Sequence, residues 1–139
     1  MGDYRVLERI ASGGMGRVYK VEHVTTRQTF AMKTMRGVYA FDADAVSRFF
    51  LEADAIKSLA HEHVVAIIDM VDAPPWPPSF VMELLEGETL AEALEREPVF
   101  SIDRACRIAV DVASALVAAH ENALVHRDLK PDNIFLTRD

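Results

Sequence analysis

His126-Arg127-Asp128-Leu129-Lys130-Pro131-Asp132-Asn133 is the stretch on which the reading of this chain turns. It sets a carboxylate, a lysine two residues on and an amide five residues on in one loop, directly ahead of an apolar strand predicted at 134–136. A carboxylate can orient a hydroxyl and accept its proton. A lysine can neutralise a phosphoryl group in transfer. An amide oxygen beside a carboxylate offers the hard ligands that Mg²⁺ prefers. A merely polar loop rarely carries this set in this order.

Working back from that loop, the chain first reads as helical. Ser101, with Asp103 in the first turn, caps a long helix predicted over 102–121. Its apolar stripe is Ile102, Ala105, Cys106, Ala109, Val112, Ala113, Leu116 and Ala119, and Asn122 is its expected left-handed stop. Thr89 caps a short helix through Arg96 that Pro98 ends, and Glu86-Gly87-Glu88 before it reads as a break. Further upstream, strands are predicted at 64–71 and 80–85. Ala73-Pro74-Pro75-Trp76-Pro77-Pro78 joins them, and its four prolines fit neither strand nor helix. A polyproline ligand for a recognition domain is the weaker alternative there, because strands flank it closely.

Asp42 or Asp44 caps an amphipathic helix carrying Val46, Phe49, Phe50, Ala53, Ile56 and Ala60. Glu52 falls beside that stripe, not opposite it, so its carboxylate wants a partner. The first third reads as strands at 4–10, 17–24 and 29–35, the last two joined as a hairpin by the polar turn Thr25-Thr26-Arg27-Gln28.

Composition bounds the function. A chain of 139 residues is one domain at most, and 50% hydrophobic with 27% charged residues is a globular balance. The net charge of −7 argues against a nucleic-acid binder. The charge is unevenly placed: residues 1–38 hold seven Lys or Arg and three Asp or Glu, the remainder eight and nineteen. A basic first quarter suits an anionic ligand there, although a chance surface asymmetry reads nearly as well. Cys106, the single cysteine, cannot form an internal disulfide, so a reducing, cytoplasmic compartment is expected. No apolar run reaches the roughly 18–20 residues of a membrane helix, and no signal peptide is apparent. Val6 stands where a myristoylation signal needs Ser or Thr.

Two further features bear on an anionic ligand. Ser12-Gly13-Gly14-Met15-Gly16 joins two strands, and glycines let backbone N–H groups approach an anion. A glycine-rich hairpin turn is the equally good plain reading. The segment is not a Walker A loop, since no Gly-Lys-Ser/Thr follows, and a strand follows where a dinucleotide fingerprint needs a helix. Lys33, inside an apolar strand, needs an anion, either Glu52 or a bound phosphate. By contrast, His61-Glu62-His63 does not complete a metal site, His120 reads as a satisfied core histidine, Cys106 as a small hydrophobe, and 83–97 as a solvated acidic face.

Taken together, Gly13-x-x-Gly16-x-Val18, Ala31-Met32-Lys33, Glu52, Val81-Met82-Glu83 and the string 126–133 resemble the eukaryotic-type protein kinase family in order and spacing, over essentially the whole chain. The Gly-Gly-Met-Gly-x-Val-Tyr form is similar to the bacterial serine/threonine kinases, and Lys130 followed by Pro131 resembles serine/threonine rather than tyrosine kinases. The resemblance implies an α+β, protein-kinase-like fold: an N-terminal lobe over 1–85, an antiparallel sheet plus one helix, and the first part of a helical C-terminal lobe over 86–139. It implies a transferase that moves phosphoryl groups from Mg·ATP to Ser/Thr hydroxyls of a protein substrate. Gly13, Gly14 and Gly16 would cover the phosphates, while Ile10, Val18 and Ala31 would border the adenine pocket. Lys33, held by Glu52, would bind the α- and β-phosphates. Met82 would be the gatekeeper, and the backbones of Glu83 and Leu85 would meet the adenine edge. Asp128 would accept the hydroxyl proton, Lys130 would stabilise the γ-phosphoryl group, and Asn133 would ligate Mg²⁺.

Three departures qualify that pattern. Ala11 replaces the first loop glycine. Ala123 stands where glycine is common, with Asn122 expected to take over the turn. The sequence stops at Asp139, before an Asp-Phe-Gly segment that would supply the main Mg²⁺ ligand. The expectation is a kinase portion that retains the nucleotide pocket but lacks turnover alone, with the stripe of helix 102–121 exposed. The alternatives are a non-catalytic nucleotide- or partner-binding module, and one half of a split kinase whose other chain covers that helix.

Overall fold

A computed structural model describes residues 2–12 and 16–138. The chain forms two compact units, Met1–Ser58 with Val65–Leu84, and Leu59–Val64 with Leu85–Asp139.

The first unit is a five-stranded antiparallel sheet with one helix. Its elements are β1 (Tyr4–Ser12), β2 (Gly16–His23), β3 (Thr29–Met35), α1 (Ala43–Lys57), β4 (Ile67–Val71) and β5 (Ser79–Met82), in sheet order β1-β2-β3-β5-β4. The hairpin of β2 and β3 forms as the polar turn predicts. Arg27 takes a left-handed φ of 61°, and the His23 ring Nδ1 accepts N–H bonds from Thr25 and Thr26. Asp42 is the cap of α1, its carboxylate accepting from the N–H groups of Asp44 and Ala45 at 3.0 and 3.1 Å.

Alternation sorts the sheet into two faces. On one, Tyr4, Val21, Met32, Val71 and Val81 form a buried cluster. On the other, Ala53 of α1 packs with Ile67 and Phe80, joined by Phe49, Ile56, Met70 and Met82. Tyr4 ties β1 to β4 by donating its hydroxyl to Asp69 at 3.2 Å. Burial, then the Asp69 carboxylate, pushes that phenol up to about 12.

Strand boundaries differ from the sequence reading: β4 starts at Ile67 and not at 64, and β5 ends at Met82, short of the 85 expected. β4 starts at Ile67 because at Ala66 the ladder passes to Glu83: the Ala66 N–H donates to the Glu83 carboxylate at 2.7 Å, and the Ala66 carbonyl accepts the Glu83 N–H at 3.0 Å. β5 gains Ser79, whose hydroxyl donates to the Pro77 carbonyl at 2.8 Å. The proline segment is folded back on itself, since the Trp76 N–H closes a tight turn onto the Ala73 carbonyl and the Pro78 carbonyl accepts from Met35. An extended polyproline ligand is therefore not what this segment presents.

The second unit holds β6 (Gly87–Thr89), α2 (Leu90–Arg96), α3 (Ile102–Glu121), a 3₁₀ turn (Pro131–Asn133) and β7 (Phe135–Thr137), with β6 and β7 paired antiparallel. Thr89 and Glu92 make a reciprocal capping box on α2, and the Ser101 hydroxyl caps α3 by accepting the Arg104 N–H. Glu86-Gly87-Glu88, read as a break, contributes instead to β6. Gly87 permits this, because its φ is +152° and a Cβ there would meet the Leu136 carbonyl oxygen at 2.0 Å.

The stop of α3 also differs. Asn122 keeps a negative φ of −96°, and Ala123 takes the left-handed turn at φ 57°. The N–H groups of Ala123 and Leu124 bond back to the His120 and Ala119 carbonyls, closing a Schellman motif. No residue of α3 is buried, so His120 and Cys106 are surface residues and not the core positions expected.

Candidate active site

The loop from His126 to Asn133 is knotted by its own side chains. The Lys130 ammonium sits 3.0 Å from Asp128 Oδ2. Asn133 donates its amide Nδ2 to the Asp128 carbonyl at 2.7 Å and to Oδ2 at 3.0 Å. Both donor contacts of that amide are thus committed to Asp128, which leaves the Asn133 Oδ1 as the acceptor for a hard cation. The 3₁₀ turn brings Asn133 back beneath the loop, its N–H bonded to the Lys130 carbonyl at 2.9 Å. The Lys130 ammonium first, then the Asn133 amide, hold the Asp128 carboxyl below its ordinary range, and Asp128 in turn raises Lys130. Asp128 is accordingly a charged, solvent-facing acceptor.

Backbone strain accompanies this. Arg127 holds φ at 59°, unusual for a residue with a side chain, while the Asp128 N–H turns back to the His126 carbonyl at 2.8 Å. Non-glycine residues in such conformations cost about 1–3 kcal/mol and cluster at functional sites.

The nucleotide candidates lie in the first unit. Register places Val18 opposite Lys33, Lys33 opposite Phe80, and Ala31 opposite Met82, so Val18, Ala31, Lys33 and Met82 share one face of the sheet. Ile10 falls in a bulge of β1, between the pairs Arg9–Tyr19 and Ala11–Val18, and is half exposed. Gly16 opens β2 against β3. A Cβ there would stand 2.3 Å from the Thr34 carbonyl oxygen, so strand pairing itself requires glycine. Gly13 and Gly14 lie outside the described residues.

Lys33 and Glu52 line one small cavity of about 90 Å³ with Phe49, Ala53, Ile56 and Phe80. They close no ion pair, and the Lys33 ammonium stands instead over the Phe80 ring, 5.7 Å from its centroid. Sequence reasoning did not single out Phe80, because only the β3–β5 register sets it against Lys33. Glu83 uses its N–H on Ala66, leaving the carbonyl as its outward backbone group, and Leu85 follows as a half-buried residue opening the second unit. Among the described residues, no cluster of three or more His, Cys, Asp or Glu is arranged around a metal.

Comparison with known proteins gives this arrangement a context. The protein kinase domain family model matches residues 4–139. The chain is 41% identical over 137 residues to the serine/threonine-protein kinase Pkn1 of Myxococcus xanthus, covering 99% of this chain and 19% of that protein. It is 36% identical over 135 residues to the serine/threonine-protein kinase PrkC of Bacillus subtilis, covering 97% of this chain and 21% of that protein. It thus spans about a fifth of the length of these relatives. Among solved structures, the kinase domain of Mycobacterium tuberculosis PknI superposes with a TM-score of 0.82 at 28% identity, over 97% of this chain and 56% of that one. No helix among the described residues is long and apolar enough to cross a membrane. The sheet, the 126–133 loop and the Lys33-bearing strand all fall inside one family match that runs from residue 4 to residue 139, and the chain belongs to the protein kinase domain family.

Proposed function

We propose that this chain carries the nucleotide site and catalytic loop of a serine/threonine protein kinase that transfers the γ-phosphoryl group of Mg·ATP to Ser or Thr hydroxyls of a protein. The observation that carries the reading is the Lys130–Asp128–Asn133 cluster, in which one carboxylate is bonded by an ammonium and an amide. Asp128, kept ionised, accepts a hydrogen bond from the incoming hydroxyl, orients it and takes its proton as the oxygen attacks phosphorus. Lys130 moves its positive charge to the transferring group, and the Asn133 Oδ1 would hold Mg²⁺, which supplies charge neutralisation at the phosphates.

In the same reading Lys33, supported by Glu52, binds the α- and β-phosphates. Val18 and Ala31 cover the adenine with Ile10 at its border, Met82 stands behind it, and the Glu83 carbonyl and Leu85 N–H meet its edge. Gly13, Gly14 and Gly16 cover the phosphates. Residues 1–85 form the nucleotide-binding lobe and 86–139 the opening of the helical lobe, and the use of ATP fits a cytoplasmic, signalling role.

The test is a thermal melt with and without Mg·ATP, beside Lys33→Met, followed by a phosphate-transfer assay. Nucleotide should raise the parent's midpoint and leave Lys33→Met unmoved. Ligand at a hundred times its Kd adds about 2.7 kcal/mol, so modest affinity registers. Phosphate transfer that disappears in Asp128→Asn supports the enzyme, whereas a nucleotide-dependent shift with no transfer under any condition points to a binding module. The unburied face of α3 favours a second reading, in which a complementary polypeptide covers it. Transfer that appears only when such a polypeptide is added supports that reading.

A further inference from the structure

Lys33 and Phe80 are directly opposed in the β3–β5 ladder, so their side chains rise from the same face at the same level. The Lys33 ammonium lies 5.7 Å from the centroid of the Phe80 ring, inside the roughly 6 Å within which a ring's negative face attracts a cation. Phe80 is itself held from α1: the Phe49 ring stands 5.1 Å from it, centroid to centroid, at an interplanar angle of 35°. Glu52, one turn along the same helix, lines the same cavity without closing on Lys33.

We propose that the Phe80 ring, backed by Phe49, is a seat for the Lys33 ammonium, and that Phe80 is a positioning residue of the nucleotide site. The inference rests on the reading of Lys33 as the phosphate-binding lysine. While no phosphate is present, the ring holds the ammonium at the wall of the cavity. An anionic nucleotide must draw it off, because phosphate oxygens and the ring compete for the same charge. α1 is then coupled to the lysine through the aromatic stack of Phe49 on Phe80.

The experiment compares the full chain with Phe80→Leu and Phe80→Met, two apolar, ringless replacements that guard against loss of the fold in either one. The first readout is the NMR resonance of the Lys33 ε-methylene in the nucleotide-free protein. The ring should displace it upfield from those of Lys20, Lys57 and Lys130, and both variants should abolish that displacement. The second is calorimetric affinity for Mg·ATP and for adenosine. Removing a competing cation–π seat should tighten Mg·ATP by about two- to five-fold and leave adenosine unchanged. A Lys33 resonance that is indifferent to Phe80 overturns the seat. Equal changes for Mg·ATP and adenosine overturn the positioning role, because they report general repacking. If the ring-dependent shift is present but Mg·ATP neither binds nor moves it, the seat stands and the phosphate-binding reading of Lys33 is what fails.

Discussion

Asp128 receives two different donors on one carboxylate, and the balance between them fixes its protonation. Because the Lys130 ammonium is the larger influence and the Asn133 amide the smaller, the folded-state value of Asp128 lies below that of a free aspartate. The sign follows from linkage. Whatever the loop gains from the charged form is present above the ordinary carboxylate range and is lost as pH falls through the lowered value. For Lys130, raised by the same partner, the gain is present below the ordinary ammonium range and lost as pH rises through the raised value. The pair is therefore intact across the neutral range, and Asp128 contributes no acid limb near neutrality. Carbonyl-carbon NMR titration of the Asp128 side chain should give a midpoint below that of free aspartate in the parent. Lys130→Ala should move it upward by more than Asn133→Ala does. A midpoint indifferent to Lys130 would show that the ammonium does not engage the carboxylate in solution.

At the scale of the element, the end of α3 shows what a single Cβ costs. The Schellman turn needs a left-handed residue, and Ala123 supplies it at φ 57° although an alanine there bears a steric penalty of about 1–2 kcal/mol. Ala123→Gly relieves that penalty, partly offset by the greater freedom of glycine in the unfolded chain, and should stabilise the second unit by about 1 kcal/mol in chemical denaturation. An unchanged or lower midpoint would mean that the turn tolerates the methyl. This position also marks where reading from sequence gave way. Asn122 is the residue whose type prefers the left-handed region, yet the turn falls one residue later, where the backbone bonds to Ala119 and His120 close. Caps written in contiguous residues were legible: Asp42, one of the two aspartates offered, Thr89 and Ser101. The clustering of Asp128, Lys130 and Asn133 was legible for the same reason, since they meet within one turn of chain. β6 was not, because three residues beginning with Gly87 become a strand only through pairing with β7, nearly fifty residues away. Nor was the Phe80 seat, which needs the register of β3 on β5.

On the scale of the whole chain, the two units differ in what holds them. Every buried apolar residue among those described lies in the first unit, except Ala93 of α2. Met32, Val21 and Val81 are almost wholly excluded from solvent, on three strands whose backbone bonds interlock. α3 has good caps at both ends but buries nothing, with Val110 and Val117 65% and 57% exposed. Most helical stability in proteins comes from packing an apolar face rather than from propensity, and α3 packs none. Local opening should therefore be graded along the chain, with α3 at the low end. In native-state hydrogen exchange, the amides of β2, β3 and β5 should open only with the global transition, and those of α3 should exchange through a lower-energy opening that denaturant hardly affects. Raising the protein concentration should leave that order intact if α3 is bare. If α3 amides are as protected as those of β3, and the protection grows with concentration, the apolar stripe is covered by another molecule of this chain. Equal protection that is independent of concentration would mean instead that the helix is packed within its own unit more closely than its exposure indicates.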